Sequence, residues 1–302
     1  MGNRTMSKLN DLSEAETIER YNRPWLFYGL STVGTWAPWL LAAKLSKEAD
    51  AAYYQSMLVT LLLLVGLLAP FFVSWMMTRN DPVLRNDFIT RIRRFGRTEF
   101  RYAVFGSVVM LLSILIAQAI SLLFGYSADQ FRFNFSASFS AGLISGWMAL
   151  IIAPVIEELS WHCYGTDTLK RRFNLLLTSL IFGAYWILWH APLGFIEGYY
   201  QSNVVESGPL FTANMIISIF PFVVIMNWCY FKSNRSVVVA IIFHLCAGVF
   251  NEIFNTDPMS KVIQTVLLIM LCIALFLHDP DFFLSKNIKP VNDEESNTSK
   301  GA

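Results

Sequence analysis

The sequence is short of charge. Only 15% of its 302 residues are Asp, Glu, Lys or Arg, against about 25% in soluble domains. Cysteine is sparse too: the four are Cys163, Cys229, Cys246 and Cys272, with no CxxC pair. They lie in or beside apolar runs, which excludes a disulfide framework and reads as small buried residues. There is no HExxH and no GxSxG, so no soluble-protease signature is present. The first 23 residues are polar and lack the apolar core of a cleavable signal peptide. Met6 stands where a myristoylation motif needs Ser or Thr. A net charge of +1 says nothing about partners by itself, and no nucleic-acid partner is expected.

What is there is hydrophobic. The chain is 55% apolar, with a mean hydropathy of +0.46. Several runs are long enough to cross a bilayer core. The fold class expected is all-α, a polytopic membrane protein with about eight transmembrane helices. The spans fall near 25–43, 56–77, 103–124, 138–163, 174–195, 209–231, 236–254 and 261–278. Residues 1–24 read as a cytoplasmic N-terminal segment, 25–278 as one membrane domain, and 279–302 as a disordered cytoplasmic tail.

Basic residues orient these spans. Arg4, Lys8, Arg20 and Arg23 precede the first. Seven arginines from Arg79 to Arg101 follow the second, Lys170, Arg171 and Arg172 the fourth, and Lys232 and Arg235 the sixth. Lys286, Lys289 and Lys300 lie in the tail. The other side holds only Lys44, Lys47, Arg132 and Lys261. Both termini are therefore expected in the cytoplasm of a plasma membrane, bacterial by expectation. The stretch Thr78–Arg101 reads as an amphipathic piece on anionic headgroups, or as arginines that only fix topology.

Titratable groups inside the spans concentrate in the fourth, fifth and seventh. The fourth carries Glu157, Glu158 and His162, the fifth His190, and the seventh His244. Adjacent carboxylates at membrane depth are costly, roughly 2.5–3.5 kcal/mol for an Asp at a helix centre. Such groups usually face a cavity or a partner. Pro154 can kink the helix just before the acids. Glu158 and His162 share a helix face, while Glu157 shares its face with Trp161. One carboxylate could act as base on water and its neighbour hold it in place. The bland alternative is polar glue between helices. The histidines could bind a metal or donate to an oxyanion. Asn251 lies two turns beyond His244 on the same face.

At these residues the chain resembles the CPBP intramembrane proteases, the CAAX prenyl endopeptidases and their abortive-infection-like relatives. The family pattern is Glu-Glu-x-x-x-Arg, then aromatic-x-x-x-His, then His-x-x-x-Asn or Asp, on successive membrane helices. Glu157, Glu158 and His162 match the first motif, with histidine for arginine. Trp186 and His190 match the second, and His244 begins the third, where Gly248 replaces its Asn or Asp. The motifs lie within 138–255. The resemblance implies hydrolysis of a peptide bond in a membrane-associated, possibly prenylated, peptide or protein. Glu157 would activate water, Glu158 would support it, and His190 and His244 would stabilise the oxyanion or hold a metal. Two histidines and one carboxylate make a possible three-ligand zinc set. A metal-independent glutamate mechanism is slightly preferred, because a ligating Glu157 would be less free as base. His162, Trp186 and Asn251 are supporting residues.

Two other readings stay open. One is an inactive scaffold or bacteriocin-immunity factor of the same fold; the other is a proton-coupled transporter. The spans also pose a depth problem. Glu157 falls near the cytoplasmic end of span four and His190 near the far end of span five. Roughly 10 Å must be absorbed, at about 1.5 Å per residue.

Overall fold

The structure is a computed structural model that describes residues 14–47 and 53–286. It is almost wholly helical. After α1 (Glu14–Glu19) come the long helices α2 (Pro24–Ser46) and α3 (Tyr53–Thr78), then the shorter α4 (Pro82–Arg93) and the long α5 (Arg97–Leu122). A two-stranded hairpin, β1 (Ser140–Ala141) and β2 (Ile144–Ser145), precedes α6 (Gly146–Ser160). A π-helical turn, Trp161–Gly165, leads without a break into α7 (Thr166–Lys170). The chain continues through α8 (Leu175–His190), a 3-10 turn (Ala191–Phe195), α9 (Tyr200–Glu206) and α10 (Pro209–Lys232). It ends with α11 (Val237–Ile253), α12 (Pro258–His278) and α13 (Pro280–Leu284).

Among the described residues, five helical segments are long and apolar enough to cross a membrane: Ser56–Thr78, Arg97–Leu122, Leu175–Phe195, Pro209–Lys232 and Pro258–His278. Val237–Ile253 is a shorter apolar helix. Large apolar side chains such as Val65, Met270 and Leu277 are exposed along these helices. So broad an apolar surface needs lipid around it, and the chain is an integral membrane protein.

Local chemistry sets the helix ends. Ser145, Asn174 and Asp257 cap α6, α8 and α12 by accepting backbone N–H groups. Proline opens α2, α4, α10 and α12, where its missing N–H costs nothing. The α2–α3 hairpin closes on a small residue. Trp39 donates its indole N–H to Leu63 O at 3.0 Å, and a Cβ on Gly66 would lie 2.2 Å from that indole nitrogen. Only glycine lets the helices approach so closely.

Three expectations change. The fourth span does not begin at 138. Residues 132–145 are largely extended and bonded sideways: Asn134 N donates to Ile253 O, Ser140 N to Gly198 O, and Leu143 N to Thr60 Oγ1. Gly142, at φ +66°, turns the hairpin. The helix instead starts at Gly146 and runs on to Lys170, so Glu157 sits near its middle. The apparent 10 Å mismatch with His190 disappears with that shift. Next, α4 is not merely a headgroup helix, because Arg91 is 1% exposed and points into the protein. Lastly, residues just past Asp279 form α13, with Phe283 fully buried. The rest of the expected tail lies outside the described residues.

Candidate active site

The site grows from the π-helical turn. Inserting one residue into a helix strands carbonyls that would otherwise accept regular bonds. Here the carbonyls of His162 and Cys163 are taken by the Arg91 guanidinium, at 2.6 and 3.0 Å. Arg91 also donates to Asp167 (2.6 Å), Tyr230 (2.5 Å) and Tyr21 (2.6 Å). Its Nε lies 2.9 Å from Asp87. Arg235 braces the same cluster through Asp167 (2.7 Å) and Asp87 (3.0 Å). It does so from a left-handed backbone at φ 59°, next to Asn234 at φ 53°. Left-handed backbone at a non-glycine residue persists only where surrounding contacts enforce it. Burial pushes the Asp87 carboxyl up, but Arg235 and Arg91 outweigh it and hold the group at about 2.

Above this cluster the two glutamates part. Glu158 is fully buried. Its Oε2 meets His162 Nδ1 and its Oε1 meets His244 Nδ1, the latter at 2.7 Å. Glu157 instead lines a cavity of about 740 Å³. Its Oε2 accepts indole N–H bonds from Trp186 (3.0 Å) and Trp161 (3.5 Å). Among the described residues, its Oε1 takes no such bond. His190 Nε2 stands 3.9 Å from Glu157 Oε2, while His190 Nδ1 bonds the Trp186 carbonyl at 2.9 Å. A carbonyl only accepts, so the hydrogen is on His190 Nδ1. Trp186 packs its ring against both His190 and His244.

Both ring nitrogens of His162 have partners. Nδ1 meets Glu158 Oε2 and Nε2 lies 2.9 Å from Asn227 Oδ1. The Asn227 Nδ2 in turn donates to the Ser179 hydroxyl at 2.9 Å. His162 thus links Glu158 to α10.

Asn251 lines the cavity, but its Nδ2 bonds Ala247 O in its own helix. Gly248 faces the cavity as well, and a Cβ there would lie 3.0 Å from Leu150. Among the described residues no group of three or more His, Cys, Asp or Glu side chains is placed to hold a metal ion. The Nδ1 atoms of His190 and His244 bond the Trp186 carbonyl and Glu158, so Nε2 is the donor that each histidine would offer a metal.

Sequence reasoning missed Arg91, Asn227 and Lys261. Asn227 had a visible signal, as a lone amide in the apolar run before Trp228. Arg91 had none, as one of seven arginines between 79 and 101. Lys261 was placed at the edge of a span, yet it lines the cavity.

Helices made for a bilayer, enclosing a carboxylate–histidine cluster that opens on an apolar cavity, are the frame of an integral membrane protease, and the comparisons agree. Residues 139–250 match the Rce1-like family, described as type II CAAX prenyl endopeptidase Rce1-like. The chain is 31% identical over 270 residues to CAAX prenyl protease 2 of Methanococcus maripaludis, covering 88% of this chain and 97% of that protein. The chain belongs to this Rce1-like family of CPBP membrane endopeptidases. The matched segment holds Glu157, Glu158, His162, Trp186, His190 and His244, and stops before Asn251 and Lys261.

Proposed function

We propose that this protease hydrolyses a peptide bond of a membrane-associated, prenylated peptide or protein, with Glu157 as general base and no metal. The observation that carries this reading is the unequal fate of the two glutamates. Glu157 meets the cavity; Glu158 is locked between His162 and His244. The membrane protease domain spans 25–278, with both termini in the cytoplasm.

The chemistry uses these atoms. Water binds against Glu157, in reach of His190 Nε2, a lone-pair acceptor while His190 is neutral. The 3.9 Å between the two groups is too long for a direct bond, and one water can bridge it. Glu157 takes a proton as water attacks the scissile carbonyl. His244 donates from Nε2 to the oxyanion, its charge supported by Glu158 on Nδ1, as a carboxylate supports a catalytic histidine. Glu157 then returns the proton to the leaving amine, and the C–N bond breaks. His162 and Asn227 keep Glu158 ionised and in place. The apolar cavity walls accommodate the lipid-modified or hydrophobic part of the substrate.

The inactive-scaffold reading keeps one supporting observation, the missing side chain at Gly248. A paired experiment separates the two. Glu157→Gln keeps volume and removes the basic carboxylate. A general base contributes roughly 10²–10⁴-fold, so cleavage of a prenylated membrane peptide should fall by that factor while thermal stability in detergent holds. Wild-type cleavage should survive a chelator. A folded Glu157→Gln variant that cleaves at the wild-type rate removes Glu157 from the reaction.

A further inference from the structure

A second hollow, of about 290 Å³, lies on the flank formed by α8, α10, α12 and α13. Its lining is apolar throughout. Pro221 and Val224 of α10, Ile269, Cys272 and Phe276 of α12, and Phe283 of α13 face it. Ile269, Cys272 and Phe276 recur at three- and four-residue spacing, so they make one stripe of α12, roughly 10 Å long at 1.5 Å per residue. Leu268 and Phe222, beside these residues in sequence, line the catalytic cavity instead. The two hollows share no lining residue. The Cys272 thiol donates to the Pro221 carbonyl at 3.5 Å, so the one polar hydrogen of that stripe is engaged. Phe283 is fully buried. Lys232 holds α13 in place, pairing with Asp279 at 2.6 Å and lying 4.0 Å from the Phe282 ring.

We propose that this groove binds one hydrocarbon chain of a membrane phospholipid. The proposal is independent of the protease reading. Continuity with the lipid-facing surface is its first support. Leu180 and Ile273 line the groove and are exposed, and both belong to helices long and apolar enough to cross the bilayer. Lipid that covers those helices therefore meets the groove directly. Size is the second support. One turn of helix, about 10 Å across and 5.4 Å high, occupies roughly 420 Å³. A groove of about 290 Å³ takes a narrow flexible chain and is too small for a helix of a partner or of a second copy. Chemistry is the third. The chain ends at 1–13 and 287–302 are rich in Asn, Ser, Asp, Glu and Lys, and such groups are costly against an apolar wall. A hydrocarbon chain gives up nothing there and gains close contacts. Seated in the groove, it packs α12 and α13 against α10.

The test uses the full chain. Protein released from nanodiscs into mild detergent is weighed by native mass spectrometry, and the wild type should retain one phospholipid. Cys272→Phe narrows the middle of the groove and Leu180→Phe its rim. Excluding about two methylenes corresponds to roughly tenfold weaker binding, so both variants should lose the retained lipid. Met270→Phe, at an exposed position of the same helix outside the groove, should keep it. A second readout needs no variant: delipidated wild type is titrated with dioleoylphosphatidylcholine, and its melting temperature should rise to a plateau at one lipid per chain. Should Cys272→Phe fail to fold, Leu180→Phe and this titration still decide. A melting temperature that climbs with lipid and reaches no plateau marks annular lipid only and overturns the site. Equal retention by the wild type and folded Cys272→Phe and Leu180→Phe variants overturns it too. A dimer in the wild-type spectrum that Cys272→Phe abolishes would assign the groove to a second copy. Saturable binding of farnesol where the phospholipid does not bind would assign it to an isoprenyl group. Either result overturns the phospholipid reading.

Discussion

His162 Nε2 stands 2.9 Å from Asn227 Oδ1, and Asn227 Nδ2 reaches the Ser179 hydroxyl at 2.9 Å. This contact holds the second nitrogen of the histidine that stands where the family motif carries arginine. An imidazole has two donors only when charged, and here each donor has an acceptor waiting. The pair joins α10 to the π-helical turn and, through Glu158, to His244 on α11.

His162→Arg should therefore keep or raise activity, since a guanidinium also serves both acceptors. His162→Ala should lower activity and stability together. Breaking a buried ion pair by removing one partner costs about 3–5 kcal/mol. Cleavage rate and detergent melting temperature, read on both variants, decide it. If neither variant differs from wild type, the position is idle.

Arg91 should behave as a brace of the π-helical turn. Arg91→Met leaves the His162 and Cys163 carbonyls and Asp167 without their main donor. Arg91→Lys offers one point charge where a planar fork is needed, so it should rescue little. Both variants should melt well below the wild type and lose cleavage. Retention of full stability by Arg91→Lys would show that charge alone suffices there.

Acid should loosen the basic end first. The folded Asp87 carboxyl titrates at about 2, below its ordinary value of about 3.9. A depressed carboxylate contributes stability that is whole above the unfolded pKa and lost as pH falls through the folded one. The window is thus about pH 4 down to 2, and the contribution roughly 2 kcal/mol. Asp87→Asn should flatten the acid limb of a stability-versus-pH curve in detergent. An unchanged acid limb would place the sensitivity elsewhere.

Topology is open to reporters. A reporter fused after Asp279 should be cytoplasmic, and one inserted near Asn203 should be external. The basic asymmetry demands this, and the cavity wall at Tyr200 and Lys261 would then lie toward the external side. Reporters that agree on one side would break the span count.

Much of this protein is legible in its residues alone. Apolar runs mark the helices because a bilayer leaves no other way to satisfy backbone groups. Glu157, Glu158, His190 and His244 stand out because titratable groups are expensive at that depth. The i to i+4 spacing already joined His162 to Glu158. What the residues did not carry is everything set by distant partners. Residues 138–145 are apolar enough to pass for helix, and only their bonds to Thr60, Gly198 and the end of α11 make them a hairpin. That shift of start decides the depth of Glu157 and lets it meet His190. Arg91 looks like its six neighbours until a π-helical turn offers it two carbonyls. Which glutamate faces the cavity is also decided late. Helix periodicity separates the two carboxylates by about 100°, but it cannot say which of them is sealed between two histidines and which meets the cavity. That depends on α8, α10 and α11 packing around them, which is a property of the assembled protein and of no segment of it.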